Sequence, residues 1–367
     1  MANIRILGGG LVGNAMARNL SKVHRVAVIE LDPDKISKLK QYDIATSNGN
    51  CLDKDQLNKF IADADLVIGA LPGYLGYQVL EKVIRMKRNV VDISFFPEDP
   101  FTLSKLAEEN GVTAIVDAGV APGLCNLMLG HHLASQEVTS YQCLVGGLPV
   151  KRTWPFQYKA VFSPADVIEE YIRPVKVRLN GHELIKQPLS EPEIVDFEQT
   201  GSLESFLTDG LRTLLTTTQV PELIEKTLRY PGSTDYLRML QKSGFLDQEK
   251  DPDTGISPLQ FTSRILKKEW QLEPGEPDLT IMRVSIKGDK NVVYTLFDQY
   301  DPVNDVLSMS RCTGYTCCGI AELLLANKID RKGILAPEQI GMIPGIYDFI
   351  FQYLSKRNVK ISYAEVS

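Results

Sequence analysis

The 367-residue sequence lacks any apolar run that approaches the length of a membrane span. Its beginning also lacks the charged leader and long apolar core of a secretory signal. Lysine and arginine number 40 against 46 aspartates and glutamates, which gives a net charge of -6, and no basic cluster is interleaved with aromatic residues. We therefore expect a cytoplasmic protein that binds neither membrane nor nucleic acid.

Metal-ligand patterns are missing as well. The chain has 6 cysteines and 4 histidines, but the cysteines form no CxxC pair and no histidine stands at ligand spacing from them. We expect no metal, and reduced thiols that are mostly structural. The cysteines are Cys51, Cys125, Cys143, Cys312, Cys317 and Cys318.

The chain exceeds the size of one ordinary hydrophobic core, so its length predicts two domains. Hydrophobic residues make up 44% of the chain and charged residues 23%, which is typical of a globular protein.

The first thirty residues carry the strongest local pattern. An apolar strand over 4–7 meets a glycine-rich turn over 8–13, a helix follows over 14–20, and a second strand ends in an acid. This order predicts a Rossmann dinucleotide site, because such a turn delivers a pyrophosphate to the positive end of a helix.

Each glycine of the turn has a separate expected function. Gly8 makes the tight turn, Gly10 lets the backbone approach the pyrophosphate, and Gly13 lets helix and strand pack closely. Leu11 and Val12 lie in the same turn and belong to the expected cofactor site.

The acid that ends the second strand points to NAD. Glu30 lies 22 residues after Gly8, close to the spacing of a carboxylate that binds the adenosine ribose. It would repel a 2'-phosphate, and no arginine follows it directly, so NAD is favoured over NADP. Asp32 and Pro33 are interpreted as a helix N-cap and first helical residue.

The first third of the chain continues to alternate strand and helix patterns. Such alternation predicts an α/β fold with a doubly wound parallel sheet, whose ligands lie at the carboxyl ends of the strands. The expected strands cover 43–47, 66–69, 89–92 and 113–117, and the expected helices cover 33–41, 53–62, 75–86 and 101–110.

Polar and loop-forming residues at those strand ends complete the expected cofactor site. Asn50 is a candidate to bind adenine, and Leu71 with Pro72 is expected to pass under the middle of the cofactor. Asp92 and Ser94 are expected to lie further along, toward the nicotinamide.

Later segments predict a different second domain. Strands over 141–145 and 175–179, and two more joined by a hairpin at 287–290, indicate an inserted α+β domain. We expect a Rossmann domain over 1–122, completed by the C-terminal helices of 312–367, and a substrate and oligomerisation domain over 123–311. Exposed strand edges in the latter make a homodimer or homotetramer the expected assembly.

Several sequence blocks together resemble the saccharopine dehydrogenase family, most closely its lysine 6-dehydrogenase branch, and the resemblance covers nearly the whole chain. In the saccharopine-forming reductases, the places of Ala121 and Val145 usually hold an aspartate and a cysteine. The absence of these two polar side chains favours free lysine as the substrate. The matching blocks are Gly8–Gly13, Leu66–Gly73, Val91–Phe95, Asp117–Gly123, Gly146–Pro149, Glu169–Tyr171, Arg173–Pro174, Thr227–Gly232, Ser308–Arg311 and Thr313–Gly314.

The resemblance implies an NAD-dependent amino-acid dehydrogenase. Its expected reaction is oxidative deamination of lysine at the side-chain amine, giving allysine, which cyclises to piperideine-6-carboxylate. The alternative is oxidation of a secondary amine, as in saccharopine, carboxynorspermidine or homospermidine enzymes. An NAD-responsive binding protein without chemistry is the non-enzymatic alternative.

The resemblance also implies an arginine for the substrate carboxylate and an acid for its α-amino group. Arg229 and Arg311 are our candidates for the carboxylate, because a guanidinium binds a carboxylate with two hydrogen bonds, and Arg173 is the reserve. Each arginine could instead form a structural salt bridge. Thr313 and Glu170 complete the expected substrate contacts.

A base must accept the proton of the reacting amine. Asp92 and Asp117 are candidates because each follows a strand of the predicted sheet, and Tyr171 and Glu170 are the alternatives from the second domain. Asp92 could instead bind a ribose or the backbone.

Overall fold

The structure is a computed structural model, and it describes residues 1–366. The chain forms two compact units. The first comprises Met1–Ser135 and Ser310–Val359, and the second comprises Gln136–Met309 and the residues from Lys360 onward.

The first unit is built on a seven-stranded sheet in which every paired strand is parallel. The order β15-β6-β5-β4-β1-β2-β3 reverses direction at β1, so the sheet is doubly wound and the predicted fold class is confirmed. The strands are β1 Asn3–Leu7, β2 Arg25–Glu30, β3 Ala45–Asn48, β4 Leu66–Gly69, β5 Val90–Asp92, β6 Thr113–Ile115 and, late in the chain, β15 Gly333–Leu335.

Helices connect these strands, as alternating patterns predict. The Asp32 carboxylate accepts the Asp34 N–H at 2.9 Å with Pro33 at the first helical position, so the predicted cap is present. The helices are α1 Leu11–Leu20, α2 Pro33–Lys40, α3 Lys54–Ile61, α4 Gly73–Arg85, α5 Ser104–Glu109, α6 Leu124–Leu133, α11 Ser308–Leu325, α12 Pro337–Gly341 and α13 Ile346–Ser355, with a 3₁₀ turn at Pro100–Leu103.

The second unit is a mixed nine-stranded sheet with four short helices. Its pairs are antiparallel except β7 with β12, and the predicted hairpin joins β13 to β14. The strands are β7 Val138–Pro149, β8 Val175–Leu179, β9 His182–Lys186, β10 Glu193–Phe197, β11 Gly201–Leu207, β12 Glu222–Arg229, β13 Asp278–Gly288, β14 Asn291–Gln299 and β16 Ile361–Val366. The helices are α7 Pro164–Glu169, α8 Leu214–Thr217, α9 Ser233–Lys242 and α10 Pro258–Glu269.

The unit boundaries differ from the expected 122/123 and 311/312. The first unit runs on to Ser135, because α6 packs on α12 and the Asn126 side chain donates to the Glu338 carboxylate at 3.2 Å. The tail also differs from the expected return of 312–367 to the first domain. Its last strand, β16, pairs with β14 of the second sheet, with Tyr363 opposite Tyr294.

Within residues 1–366, no helix combines the length and apolarity needed to cross a membrane. Nor do these residues bring three metal-ligating side chains together. The six cysteines are buried and form no disulfide there.

Candidate functional site

The glycine turn after β1 leaves open space only where a ligand is expected. Gly8 has a φ of +103°, and a Cβ on it would lie 2.5 Å from the Ala70 carbonyl oxygen. A Cβ on Gly13 would lie 2.1 Å from the Gly8 carbonyl oxygen, so close packing requires glycine there. A Cβ on Gly10 would meet nothing within 4 Å.

Helix α1 presents its N-terminus at this open space. Gly10 is the N-cap, the first turn contains no acidic residue, and Leu11 is 47% exposed. The first backbone N–H groups of a helix have no intrahelical acceptor and carry partial positive charge. Gly10, Leu11 and Val12 thus form a cradle that suits a pyrophosphate, and a side chain at Gly10 would fill it.

Glu30 at the end of β2 is held by the backbone of the same turn. One carboxylate oxygen accepts the Gly9 N–H at 2.8 Å, and the other accepts those of Leu31 at 2.8 Å and Asp32 at 3.1 Å. Lys35 lies 3.9 Å from the first oxygen. A carboxylate has about four lone-pair sites, so three N–H groups leave room for a ribose hydroxyl.

The other predicted strand-end residues of the cofactor site border this turn or β3. The Leu71 Cδ2 atom is 3.4 Å from the Cβ position of Gly8, and Pro72 is the N-cap of α4. The Asn50 side-chain oxygen accepts the Leu52 N–H at 2.9 Å, which closes a local turn. This bond uses the carbonyl end of Asn50, so its amide nitrogen is the end suited to adenine.

Asp92 and Ser94 fix the end of β5. The Asp92 carboxylate accepts the Ser94 N–H at 2.7 Å and packs so tightly on Gly69 that a Cβ there would lie 1.7 Å from it. The Ser94 hydroxyl is buried against Gly76. The bond from the Ser94 N–H fits the backbone-binding alternative for Asp92. Asp117 follows β6 with a φ of +52° and is 2% exposed.

The second unit places three of its predicted residues in one buried cluster around Arg229, which ends β12. The guanidinium donates to the Tyr171 hydroxyl at 3.0 and 3.1 Å, to the Glu170 carboxylate at 2.9 Å and to the Leu228 carbonyl at 3.0 Å. The ring of Tyr158 lies 4.3 Å from its central carbon. Arg229 is 2% exposed. We call Arg229, Glu170, Tyr171, Tyr158 and Trp270 the arginine cage.

Burial controls protonation in the arginine cage. It raises the pKa of Tyr171 to about 12, with Arg229 opposing the rise, so the phenol keeps its proton near neutral pH. This disfavours Tyr171 as the proton acceptor. Burial also raises the pKa of Glu170, and the adjacent guanidinium again opposes it.

Sequence reasoning missed two members of the arginine cage, Tyr158 and Trp270. Their ring centroids are 5.4 Å apart, and Trp270 also meets Tyr171 edge to face at 6.1 Å. The Tyr158 hydroxyl and Trp270 indole N–H are buried without a hydrogen-bond partner among the described residues. The rarity of tryptophan, with only 2 in the chain, was the one available signal.

The remaining substrate candidates are not members of the arginine cage. The Arg173 guanidinium donates to the Glu169 carboxylate, four residues earlier, at 3.0 Å. This ion pair matches the salt-bridge alternative for Arg173. Arg311 and Thr313 lie on α11 in the first unit, where the Thr313 methyl is 3.3 Å from the Cβ position of Gly119. The expected substrate contacts are therefore divided between the two units.

Two family models match this chain, and together they span most of it. Residues 4–115 match "Saccharopine dehydrogenase NADP binding domain", and residues 119–359 match "Saccharopine dehydrogenase C-terminal domain". The chain belongs to the saccharopine dehydrogenase family. The predicted family is thereby confirmed, and the name of the first model supports a nicotinamide dinucleotide as the cofactor.

Named relatives extend this result. A mitochondrial alpha-aminoadipic semialdehyde synthase from Rattus norvegicus is 26% identical over 268 residues, covering 68% of this chain and 29% of that protein. A saccharopine dehydrogenase [NADP(+), L-glutamate-forming] from Schizosaccharomyces pombe is 24% identical over 296 residues, covering 74% and 66%. This chain thus spans less than a third of the rat protein's length.

A solved structure has the same fold. Saccharopine dehydrogenase (L-Glu forming) from Saccharomyces cerevisiae superposes with a TM-score of 0.81 over 100% of both chains at 20% identity. None of the proteins named above is a lysine 6-dehydrogenase. The expected homo-oligomer and cytoplasmic location stay predictions.

Proposed function

We propose that this chain oxidises a secondary-amine amino acid of the saccharopine type with a nicotinamide dinucleotide. The observation that carries the proposal is the pair of family matches over residues 4–115 and 119–359, both to saccharopine dehydrogenase. In the proposed reaction, saccharopine, the oxidised coenzyme and water give L-glutamate, alpha-aminoadipic semialdehyde, the reduced coenzyme and a proton. This is the alternative of the sequence analysis, and it now takes precedence over lysine.

The chemistry divides among residues of this chain. A bound nicotinamide coenzyme would supply the acceptor for the hydride that leaves the carbon next to the amine nitrogen. Arg229 is proposed to pair with a substrate carboxylate, since its guanidinium is fixed by Tyr171 and Leu228. Asp117 and Asp92 remain the proposed acceptors of the amine proton; for Asp92, the bond to the Ser94 N–H favours a positioning contribution.

Free lysine is the second candidate substrate. It is favoured by Ala121 and Val145, which stand where the saccharopine-forming pattern has polar residues. Only two side chains support it, whereas the relatives named for saccharopine match along most of the chain.

The proposed function is tested by measuring coenzyme reduction with saccharopine, lysine, ornithine and polyamines, using NAD and NADP in turn. We expect the highest kcat/KM with saccharopine. Turnover of lysine with none of saccharopine would reverse the order of the two candidates. Coenzyme binding without turnover of any amine would favour the non-enzymatic alternative.

We further propose that NAD is preferred over NADP, although the matching family model carries NADP in its name. Glu30 is anchored by three backbone N–H groups, so it cannot easily move away from a 2'-phosphate. Glu30→Gln removes the charge and keeps the shape, and should shift the ratio of kcat/KM for NAD to that for NADP toward NADP by about tenfold, or roughly 1.4 kcal/mol.

Asp32→Asn is the matched control for this substitution. Its carboxylate caps α2 two residues away, and its side chain is 45% exposed, so its charge is better screened. The ratio should change little in this variant. A wild-type preference for NADP would show that Glu30 does not govern the choice.

A further inference from the structure

Glu170 is the member of the arginine cage that reaches solvent. Its side chain is 17% exposed, whereas Arg229 is 2%, Tyr171 1%, Tyr158 4% and Trp270 1% exposed. A ligand that approaches the guanidinium from solvent therefore meets the Glu170 carboxylate first.

The hydrogen bonds of Arg229 identify Glu170 as the replaceable partner. The guanidinium donates to three acceptors: the Leu228 carbonyl, the Tyr171 hydroxyl and the Glu170 carboxylate. The first belongs to the strand itself, and the second is buried against Trp270. Of the three acceptors, only the Glu170 carboxylate carries a charge. Glu170 is the C-cap residue of the short helix α7.

We propose that Glu170 is an internal substitute for the substrate carboxylate, occupying Arg229 in the free protein and giving way when a carboxylate binds. The proposal rests on the proposed function, in which Arg229 holds that carboxylate. A buried guanidinium without a counter-charge is strongly destabilised. The substrate carboxylate must therefore replace Glu170 as the counter-charge of Arg229.

This exchange gives the site a selectivity that a vacant arginine would lack. An amine without a carboxylate cannot take over the ion pair, and it meets a site already neutralised by Glu170. The affinity for a carboxylate ligand then depends on the difference in free energy between the ion pair of Arg229 with that ligand and the ion pair of Arg229 with Glu170. The raised pKa of Glu170, caused by burial, is consistent with a carboxylate that is held at a cost.

The test is isothermal titration calorimetry with glutarate as a carboxylate probe. Glu170→Gln removes the competing charge, and its amide oxygen can still accept from Arg229, so glutarate should bind about tenfold more tightly, a change of roughly 1.4 kcal/mol. Glu170→Asp keeps the charge but shortens the side chain, and should give a smaller tightening in the same direction.

The control is Glu183→Gln, which removes a carboxylate that pairs with another buried arginine, Arg178, and is 55% exposed. It should leave glutarate affinity unchanged. If Glu170→Gln does not fold, Glu170→Asp decides the matter. Unchanged or weaker glutarate binding in a folded Glu170 variant would overturn the exchange.

Failure of the proposed function would look different. If wild-type protein does not oxidise saccharopine yet binds glutarate, and the Glu170 variants bind it more tightly, the exchange stands and the proposed reaction falls. If saccharopine is oxidised but no variant changes glutarate affinity, the reaction stands and the exchange falls.

Discussion

Replacing Gly10 with valine is expected to abolish binding of the nicotinamide dinucleotide while the protein stays folded. Gly10 has a φ of -64°, which any residue adopts, and a Cβ there meets nothing within 4 Å. The two methyl groups would instead fill the space in front of the first N–H groups of α1. Losing two charge-assisted hydrogen bonds, each contributing about 1.5–3 kcal/mol, predicts an affinity loss of about a hundredfold or more.

The measurement is coenzyme affinity by calorimetry, with a thermal melt of the same sample. The melting temperature should change little, because a Cβ at this position meets nothing within 4 Å and the backbone conformation suits any residue. Gly13→Ala is the contrasting variant: its Cβ would lie 2.1 Å from the Gly8 carbonyl oxygen, so it should disrupt the turn and lower stability. Undiminished coenzyme affinity in folded Gly10→Val protein would show that the pyrophosphate does not bind at this turn.

Arg229→Met should have the second large effect, on both stability and substrate binding. The change leaves the Glu170 carboxylate, whose side chain is only 17% exposed, without its partner and removes two N–H donors from the Tyr171 hydroxyl. Breaking one side of a buried ion pair typically lowers the free energy of unfolding by about 3–5 kcal/mol. Adding Glu170→Gln should restore much of that stability, because no isolated charge then remains.

Substrate binding distinguishes this arginine from a purely structural one. Arg178→Met is the control, since Arg178 is also buried but donates mainly to backbone carbonyls, such as that of Thr218 at 2.8 Å. Both variants should lose stability by chemical denaturation, whereas the KM for the carboxylate substrate should rise only for Arg229. An unchanged KM in Arg229→Met, or equal rises in both variants, would assign Arg229 to the structural alternative.

The first unit could be predicted from sequence because its signals are local. Each strand, turn and helix there is a continuous segment with its own periodicity, and parallel β-α-β units assemble in a predictable order. The turn geometry that ties Glu30 to Gly9 could not be predicted in the same way. Such bonds depend on the orientation of backbone N–H groups, which the sequence alone does not determine.

The second unit depends on pairings between distant segments, which periodicity does not reveal. Strand β7 lies between β12 and β13, so Tyr141 is opposite Leu223 on one side and Ile286 on the other. The arginine cage is assembled from similarly separated segments, which is why Tyr158 and Trp270 were missed. The family resemblance located Arg229 and Glu170 but left open that they pair with each other.

The prediction of lysine as the substrate has the weaker support for a related reason. It depended on Ala121 and Val145, whose effect on a substrate depends on neighbours that the sequence does not specify. Matches along residues 4–115 and 119–359 draw on many positions at once, so they carry more weight for the reaction class.

The most direct test of the central claim is product analysis after reaction with saccharopine. Saccharopine and excess oxidised coenzyme are incubated with the protein, and reduced coenzyme is measured by absorbance and L-glutamate by mass spectrometry. The account predicts that one glutamate forms for each reduced coenzyme. Intact saccharopine, together with coenzyme reduction by free lysine in the same preparation, would contradict it.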